Sequence, residues 1–371
     1  MIYSIRLFYS VTGSNIFGET IYEEVNMKGT SSLIAIFSVL LFYTAQTSAA
    51  SGSFFEGKKI RFIVSSSPGG GNDTYVRLVA RHISKYLPGN PSIIVQNMPG
   101  AGGVVAANYL YSKARRDGTV WSQINSGAWN YQIIKDKRAK FDFNKINPIG
   151  FASIENTVMY VRKDRFQGLK GIRESGKLAR VGASGRQSSG SVLGSLIEQV
   201  LGAKLFKLIL GYPGARQYSL AVRQGEVDAS GNTLASFLEQ LGDMVKAGDL
   251  IVMVQAGTME GKRDPRLPDV PLLSEIAETP EAKDLANSAF LLAHYTRGFF
   301  MPPGVPKKRV KLIRDAFWKS MKDPKLIQEA KRMGRPIRPG RGEKLQEMLK
   351  TSLSPSPKMY KIINSIYGTA K

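Results

Sequence analysis

Between residues 59 and 124, three apolar runs in succession each end in a loop of small residues, and that repetition restricts the chain to few folds. Ile60-Arg61-Phe62-Ile63-Val64 meets Ser65-Ser66-Ser67-Pro68-Gly69-Gly70-Gly71-Asn72-Asp73. Ser92-Ile93-Ile94-Val95-Gln96 meets Asn97-Met98-Pro99-Gly100-Ala101-Gly102-Gly103, and the run 119–124 meets Asn125-Ser126-Gly127-Ala128. The stretches between them carry a helical period, so the spacing predicts βαβαβ with a parallel sheet. Ligands of such sheets collect at the carboxyl ends of the strands, where these loops lie.

The loop chemistry points to binding. Glycines let the backbone approach a ligand, and a helix opening near Asn72 aims unpaired N–H groups and a positive dipole end back at the loop. Ser66, Ser67, Asn72, Asn125, Ser126, Ser184, Ser188 and Ser189 add hydroxyl and amide donors, which satisfy a carboxylate without a fixed ion pair. Pro68, Gly69 and Gly70 shape the first loop, and Gly70 is expected to resist a Cβ-branched substitute. Asp73 has two readings, helix cap or ligand contact. Asp228 is the other carboxylate to watch. Tyr212, after a strand and before Pro213-Gly214, is expected at a strand-end rim or in the core, with Met98 and Trp129 as apolar walls or core residues.

Beyond a polar crossing at 135–147, the α/β rhythm resumes. Strands are expected at 157–161, 180–183, 206–210, 227–230 and 251–255, and helices near 169–177, 191–201 and 215–223. A Pro- and Gly-rich stretch at 258–271 reads as a connection. After Phe299-Phe300-Met301 and Pro302-Pro303, a basic tail has helical spacing, with Pro324 breaking it. The simplest architecture is α/β with two lobes, each a mostly parallel sheet flanked by helices. Lobe one takes 51–155 plus 285–371, and lobe two takes 156–284.

The chain of 371 residues has 52 Lys and Arg against 29 Asp and Glu, a net charge of +23. So basic a chain raises nucleic acid as a partner, but the basic residues are dispersed and no zinc-finger, RRM or basic-zipper pattern accompanies them. A body that captures small anions fits better. Cysteine is absent, which excludes disulfides, thiolate metal sites and a lipidated cysteine anchor. Lys28, the apolar run 33–43 and Thr47-Ser48-Ala49-Ala50 form a secretory signal over 27–50, cleaved near Ala50. The acidic stretch 1–26 reads as an extension from an overlong gene model.

Catalytic patterns are missing. There are two histidines, and no H-E-x-x-H, G-x-x-x-x-G-K-[ST] or G-x-S-x-G. His82 and His294 are expected to be structural. Gly100-Ala101-Gly102 is half a dinucleotide fingerprint, but its third position is Val105, so no cofactor and no metal are expected.

Pro68-Gly69-Gly70-Gly71-Asn72-Asp73, Pro99-Gly100-Ala101-Gly102-Gly103 and Asp117-Gly118-Thr119 resemble the opening of the Bug-type substrate-binding proteins of tripartite tricarboxylate transporters. Ser184-Gly185, Ser188-Ser189-Gly190, Gly211-Tyr212-Pro213-Gly214, Gly225-Glu226-Val227-Asp228, Leu267-Pro268-Asp269-Val270-Pro271 and Pro303-Gly304-Val305-Pro306 follow in the family's order, so the likeness covers roughly 54–350. Pro213 stands where members often carry Lys. The resemblance implies a two-lobed, type II-like periplasmic binding protein with the ligand cleft between lobes and the Pro-Gly-Gly loop on the ligand's carboxylate. The chain is expected to be a monomer that delivers a small organic acid to membrane permease subunits. Two rivals stay open: a sensory module presenting the same ligand to a signalling partner, and an enzyme acting on a carboxylate.

Overall fold

A computed structural model describes residues 54–368. The expectations for 1–26, for the 27–50 leader and for cleavage near Ala50 lie outside the described residues. In chain order the strands are β1 (Lys59–Val64), β2 (Ser92–Asn97), β3 (Val120–Gln123), β4 (Asn147–Glu155), β5 (Thr157–Arg162) and β6 (Ala179–Ala183). β7 (Phe206–Leu210), β8 (Ala229–Thr233), β9 (Leu250–Gln255), β10 (Tyr295–Met301) and β11 (Gly340–Arg341) complete the set.

The opening unit forms as its spacing requires. β1 pairs in parallel with β2 on one side and β3 on the other, and helices Gly71–Ile83 and Val104–Ser112 make the crossovers. Parallel neighbours need such crossovers because a tight turn cannot reverse the chain and keep its direction. The central strand is the greasiest: Ile60, Phe62, Ile63 and Val64 are buried, with Phe62 edge-on to Trp121 and Phe299.

The strands form two sheets, ordered β11-β4-β10-β3-β1-β2 and β7-β6-β8-β5-β9. Both are mixed rather than mostly parallel. β10 lies antiparallel between β3 and β4, and β5 lies antiparallel between β8 and β9. The cause is the path of the chain. β4 ends at Glu155 in the first sheet and β5 starts at Thr157 in the second, so Asn156 alone makes the crossing, and β10 re-enters the first sheet from the other direction. Asn156 is fixed there: its Nδ2 donates to Gln255 Oε1 at 3.1 Å, its Oδ1 accepts from Gly257 N at 2.8 Å, and its carbonyl accepts from Leu234 N at 2.9 Å.

β4 was not expected from the sequence, since Pro148 and Gly150 near its start argue against a ladder strand. It is accommodated by register shifts against β10. The strand expected at 227–230 forms two or three residues later, as β8. Pro324 does divide the tail, acting as the first residue of helix Pro324–Arg332 with Asp323 as its cap. Helices Lys307–Ser320 and Gly342–Leu353 pack on β4. Helix Pro357–Tyr367 reaches helix Ser189–Leu201, which covers the second sheet.

Candidate ligand-binding cleft

The carboxyl ends of β1, β2 and β3 face those of β6, β7 and β8 across a cleft of about 330 Å³. Four helices begin at its walls: Gly71–Ile83 from the first sheet, and Ser189–Leu201, Ala215–Arg223 and Leu234–Lys246 from the second. Their cap positions are Gly70, Ser188, Gly214 and Thr233. Only Ser188 caps with its side chain, accepting from Ser191 N. Gly70, Gly214 and Thr233 make no side-chain cap bond, so the first-turn N–H groups behind them remain donors facing the cleft.

Among the described lining residues one side chain is charged, Arg297, and it is already matched. It is 3% exposed and lies on β10 between the rings of Tyr75 and Tyr295, at 5.2 and 4.6 Å. Its Nε donates to Glu155 Oε2 at 2.5 Å, Nη1 donates to Asn72 Oδ1, and Nη2 donates to Thr233 Oγ1 at 2.9 Å. One guanidinium thus joins the first helix N-terminus, the sheet crossing and the end of β8. A second web fixes the floor: Asn125 Oδ1 accepts from Ser65 Oγ, Asn72 Nδ2 and Tyr295 OH at 2.9, 2.7 and 2.8 Å. Asn125 Nδ2 donates to Gly102 O at 2.8 Å, tying the β3 loop to the β2 loop. Such saturated buried networks hold side chains in one arrangement. By contrast, Ser66 Oγ is buried at the wall with no partner among the described residues.

The sequence-derived candidates divide. Ser66, Gly70, Asn72, Asn125, Ser184, Ser188, Ser189 and Tyr212 line the cleft. Six do not. Asp73 turns away: Oδ2 accepts from Gly69 N at 2.9 Å, and the carboxylate also takes Arg77 Nε and Asn97 Nδ2. Burial works to raise its pKa, but Arg77, the Gly69 N–H and Asn97 together hold it below the usual carboxylate range. Asp73 therefore braces the Pro-Gly-Gly loop. Pro68 and Gly69 form the loop's tip, and the positive φ falls at Gly69 (77°), whereas Gly70 is extended at φ −83° and strains nothing. Ser67 reaches over the rim, donating to Gln217 Oε1 at 3.1 Å. Asp228 is held by Arg180 through N, Nε and Nη2 at 2.9, 3.0 and 2.8 Å, and Ser126 lines a neighbouring cavity.

Tyr212 is half-buried at the rim and donates to Glu226 Oε1; desolvation first, and the carboxylate second, push its pKa up to about 12. Met98 and Trp129 pack against the core, and Trp129 meets Phe143 edge-on. His82, partly buried and outside the cleft lining, meets Glu329 at 2.6 Å. His294 sits between the carbonyls of Phe290 and Gly257 at 2.8 and 3.1 Å.

Sequence reasoning did not single out Tyr218, Asn232, Thr233, Ser236 or Tyr295 and Arg297 as cleft residues. A signal for Arg297 existed: it is the one charge in the run Tyr295-Thr296-Arg297-Gly298-Phe299-Phe300-Met301, which the structure buries throughout. Buried arginines are paired or poised at a site.

The model of the "Tripartite tricarboxylate transporter family receptor" family matches residues 75–361. A protein from the tcbD-tcbE intergenic region of a Pseudomonas sp. is 26% identical over 316 residues, covering 83% of this chain and 87% of that protein. Among solved structures, periplasmic binding protein BugD superposes with a TM-score of 0.68 at 19% identity over 83% of this chain and 97% of its own. MatC from Rhodopseudomonas palustris with bound malate gives 0.65 at 18% identity, over 83% and 99%. At these identities the structural likeness is one of fold, that of periplasmic binding proteins. With the family match over most of its length, the chain belongs to the tripartite tricarboxylate transporter family receptors.

Proposed function

We propose that this receptor captures a small organic acid in the cleft between its two sheets and hands it to the permease subunits of a tripartite tricarboxylate-type transporter. The observation that carries the reading is the convergence of four helix N-termini, three without side-chain caps, on a cleft whose one described charge is already paired. Main-chain N–H groups, Ser66, Ser184 and Ser189 then meet the carboxylate in a desolvated site. Neutral donors of this kind favour an anion without the permanent partner that would slow its release. MatC with malate and an R. palustris relative with adipate, both of this fold, support a carboxylate as the ligand.

Lobe one is 51–155 with 285–371, lobe two is 156–284, and closure about Asn156 and β10 traps the ligand. The single-residue crossing at Asn156 supports that division. The receptor acts as a monomer, is exported by the leader ending near Ala50, and turns nothing over.

The test is a thermal-shift screen of mono-, di- and tricarboxylates and aromatic acids, followed by calorimetry. An acid present at 100 times its Kd adds about 2.7 kcal/mol of stability, a rise of several degrees. The reading fails if no acid raises the midpoint, or if uncharged amides of the same acids raise it equally.

A further inference from the structure

Basic residues scattered along the chain gather at the end of the first sheet opposite the cleft. β1 and β3 run away from this end, and β10 runs into it. Three segments meet there: 54–59 leading into β1, 113–118 leading into β3, and 303–309 following β10. They carry eight Lys and Arg against two acids, Glu56 and Asp117, and none of them lines the cleft.

Contacts join the segments into one surface. Lys58 Nζ lies 3.4 Å and Arg309 Cζ 3.6 Å from the centre of the Phe54 ring, which takes one cation on each face. Arg309 Nη1 donates to Asp117 O at 2.9 Å, and Arg116 packs over Gly304, where an added Cβ would meet its Cδ at 3.2 Å. Lys58, Lys59, Arg115, Arg116, Lys307 and Lys308 are exposed. Among the described residues none of the eight cations has an ion-pair partner, whereas Lys311, on the same helix as Arg309, is paired with Asp315. Asp117 is a single charge whose Oδ1 is already taken, accepting from Thr119 N and Oγ1 at 2.9 and 2.6 Å. Like charges held this close repel, and an anionic surface laid against them removes that cost.

We infer that this end of the molecule docks on a bilayer surface that carries anionic phospholipid headgroups. Two observations favour a bilayer over a nucleic acid. The one ring at the surface of these segments, Phe54, has both faces covered, so it cannot stack a base. The chain also belongs to the receptors of a transporter family, whose work lies beside a membrane. Docking by this end leaves the cleft turned away from the bilayer and free to fill.

The test is co-sedimentation of the whole protein with vesicles of phosphatidylcholine alone, or of phosphatidylcholine and phosphatidylglycerol in equal parts. No acid is present, so the result does not depend on the proposed capture. Binding is expected only to the vesicles with phosphatidylglycerol, and it should fall as salt is added. Combining Arg115→Gln, Lys307→Gln and Lys308→Gln should weaken it roughly a hundredfold, at about fivefold for each basic residue. The control combines Lys163→Gln, Lys207→Gln and Lys246→Gln, which are exposed just after β5, on β7 and at the end of helix Leu234–Lys246. It removes the same charge and should weaken binding by no more than about threefold. The proposal is overturned if the protein binds both kinds of vesicle equally or neither, or if the two triple variants weaken binding to the same extent. It is also overturned, in favour of nucleic acid, if a DNA duplex binds more tightly than the vesicles and loses that affinity in the Arg115, Lys307 and Lys308 variant.

Discussion

Replacing Gly71 with alanine adds one methyl where the two sheets meet. Gly71 is the first residue of its helix, and a Cβ there would lie 2.6 Å from Ser236 Oγ and 2.8 Å from Arg297 Nη2. Neither neighbour gives way freely. Arg297 is clamped by Glu155 and flanked by two tyrosines, and Ser236 Oγ accepts from the buried Arg335 Nη1 at 2.9 Å. Relief therefore breaks either the Arg335–Ser236 or the Arg297–Thr233 bond, each worth about 1.5–3 kcal/mol as a hydrogen bond to a charged group. Ser236 and Thr233 belong to the second sheet's side, so that loss falls mainly on closure. Helix propensity works the other way, favouring alanine by up to about 1 kcal/mol in the unliganded fold. Calorimetry on the best acid of the screen should then show Gly71→Ala binding roughly ten- to a hundredfold more weakly, while its ligand-free melting temperature stays within a few degrees. Gly70→Ala is the contrast, since its Cβ meets nothing closer than Ser67 O at 3.7 Å and its φ suits any residue. Gly71→Ala binding as tightly as the native protein would refute the geometry.

Two further outcomes follow from the side chains around the cleft. Burial depresses the pKa of His294 below its usual value, against the pull of the Phe290 and Gly257 carbonyls; the unfolded chain therefore takes up its proton first as pH falls below about 6.5. Stability is thus fully present above that pH and is lost as pH falls through the folded-state pKa, and His294→Asn should flatten the melting temperature between pH 7 and pH 5; an unchanged slope rejects the assignment. Asp73→Ala, which frees Gly69 N, Asn97 and Arg77, should weaken the acid about tenfold by loosening the loop, one hydrogen bond's worth at the cleft. Native affinity in that variant would show that Asp73 does not brace the loop.

The parts of this molecule legible in its sequence are those set by local pattern. The runs at β1, β2 and β3, with glycines at their ends, announce a parallel unit and a loop site, and β7 and helix Ala215–Arg223 fall where periodicity puts them. What escaped is long-range. β4 hides behind Pro148 and Gly150 because its pairing with β10, nearly 150 residues later, outweighs local propensity. Arg297 and Thr233 become cleft residues only when β10 returns beside β3 and β8 closes from the other sheet. Asp73 and Asp228 share the opposite lesson: next to a glycine loop a carboxylate looks like a ligand contact, yet an arginine four residues away or on the adjacent strand claims it first.

An anion held by uncommitted donors at strand ends, rather than by the basic surface, is the central claim of the proposed function. Calorimetry of the screened acid against Ser66→Ala, Ser184→Ala and Arg115→Ala tests this directly. Ser66 and Ser184 line the cleft, while Arg115 is exposed and outside its lining. Each serine substitution should weaken binding about ten- to a hundredfold, the worth of a hydrogen bond to a charged group, with Arg115→Ala within twofold of native. Native affinity in both serine variants together with a large loss in Arg115→Ala would contradict the cleft and assign capture to the diffuse positive charge of the surface.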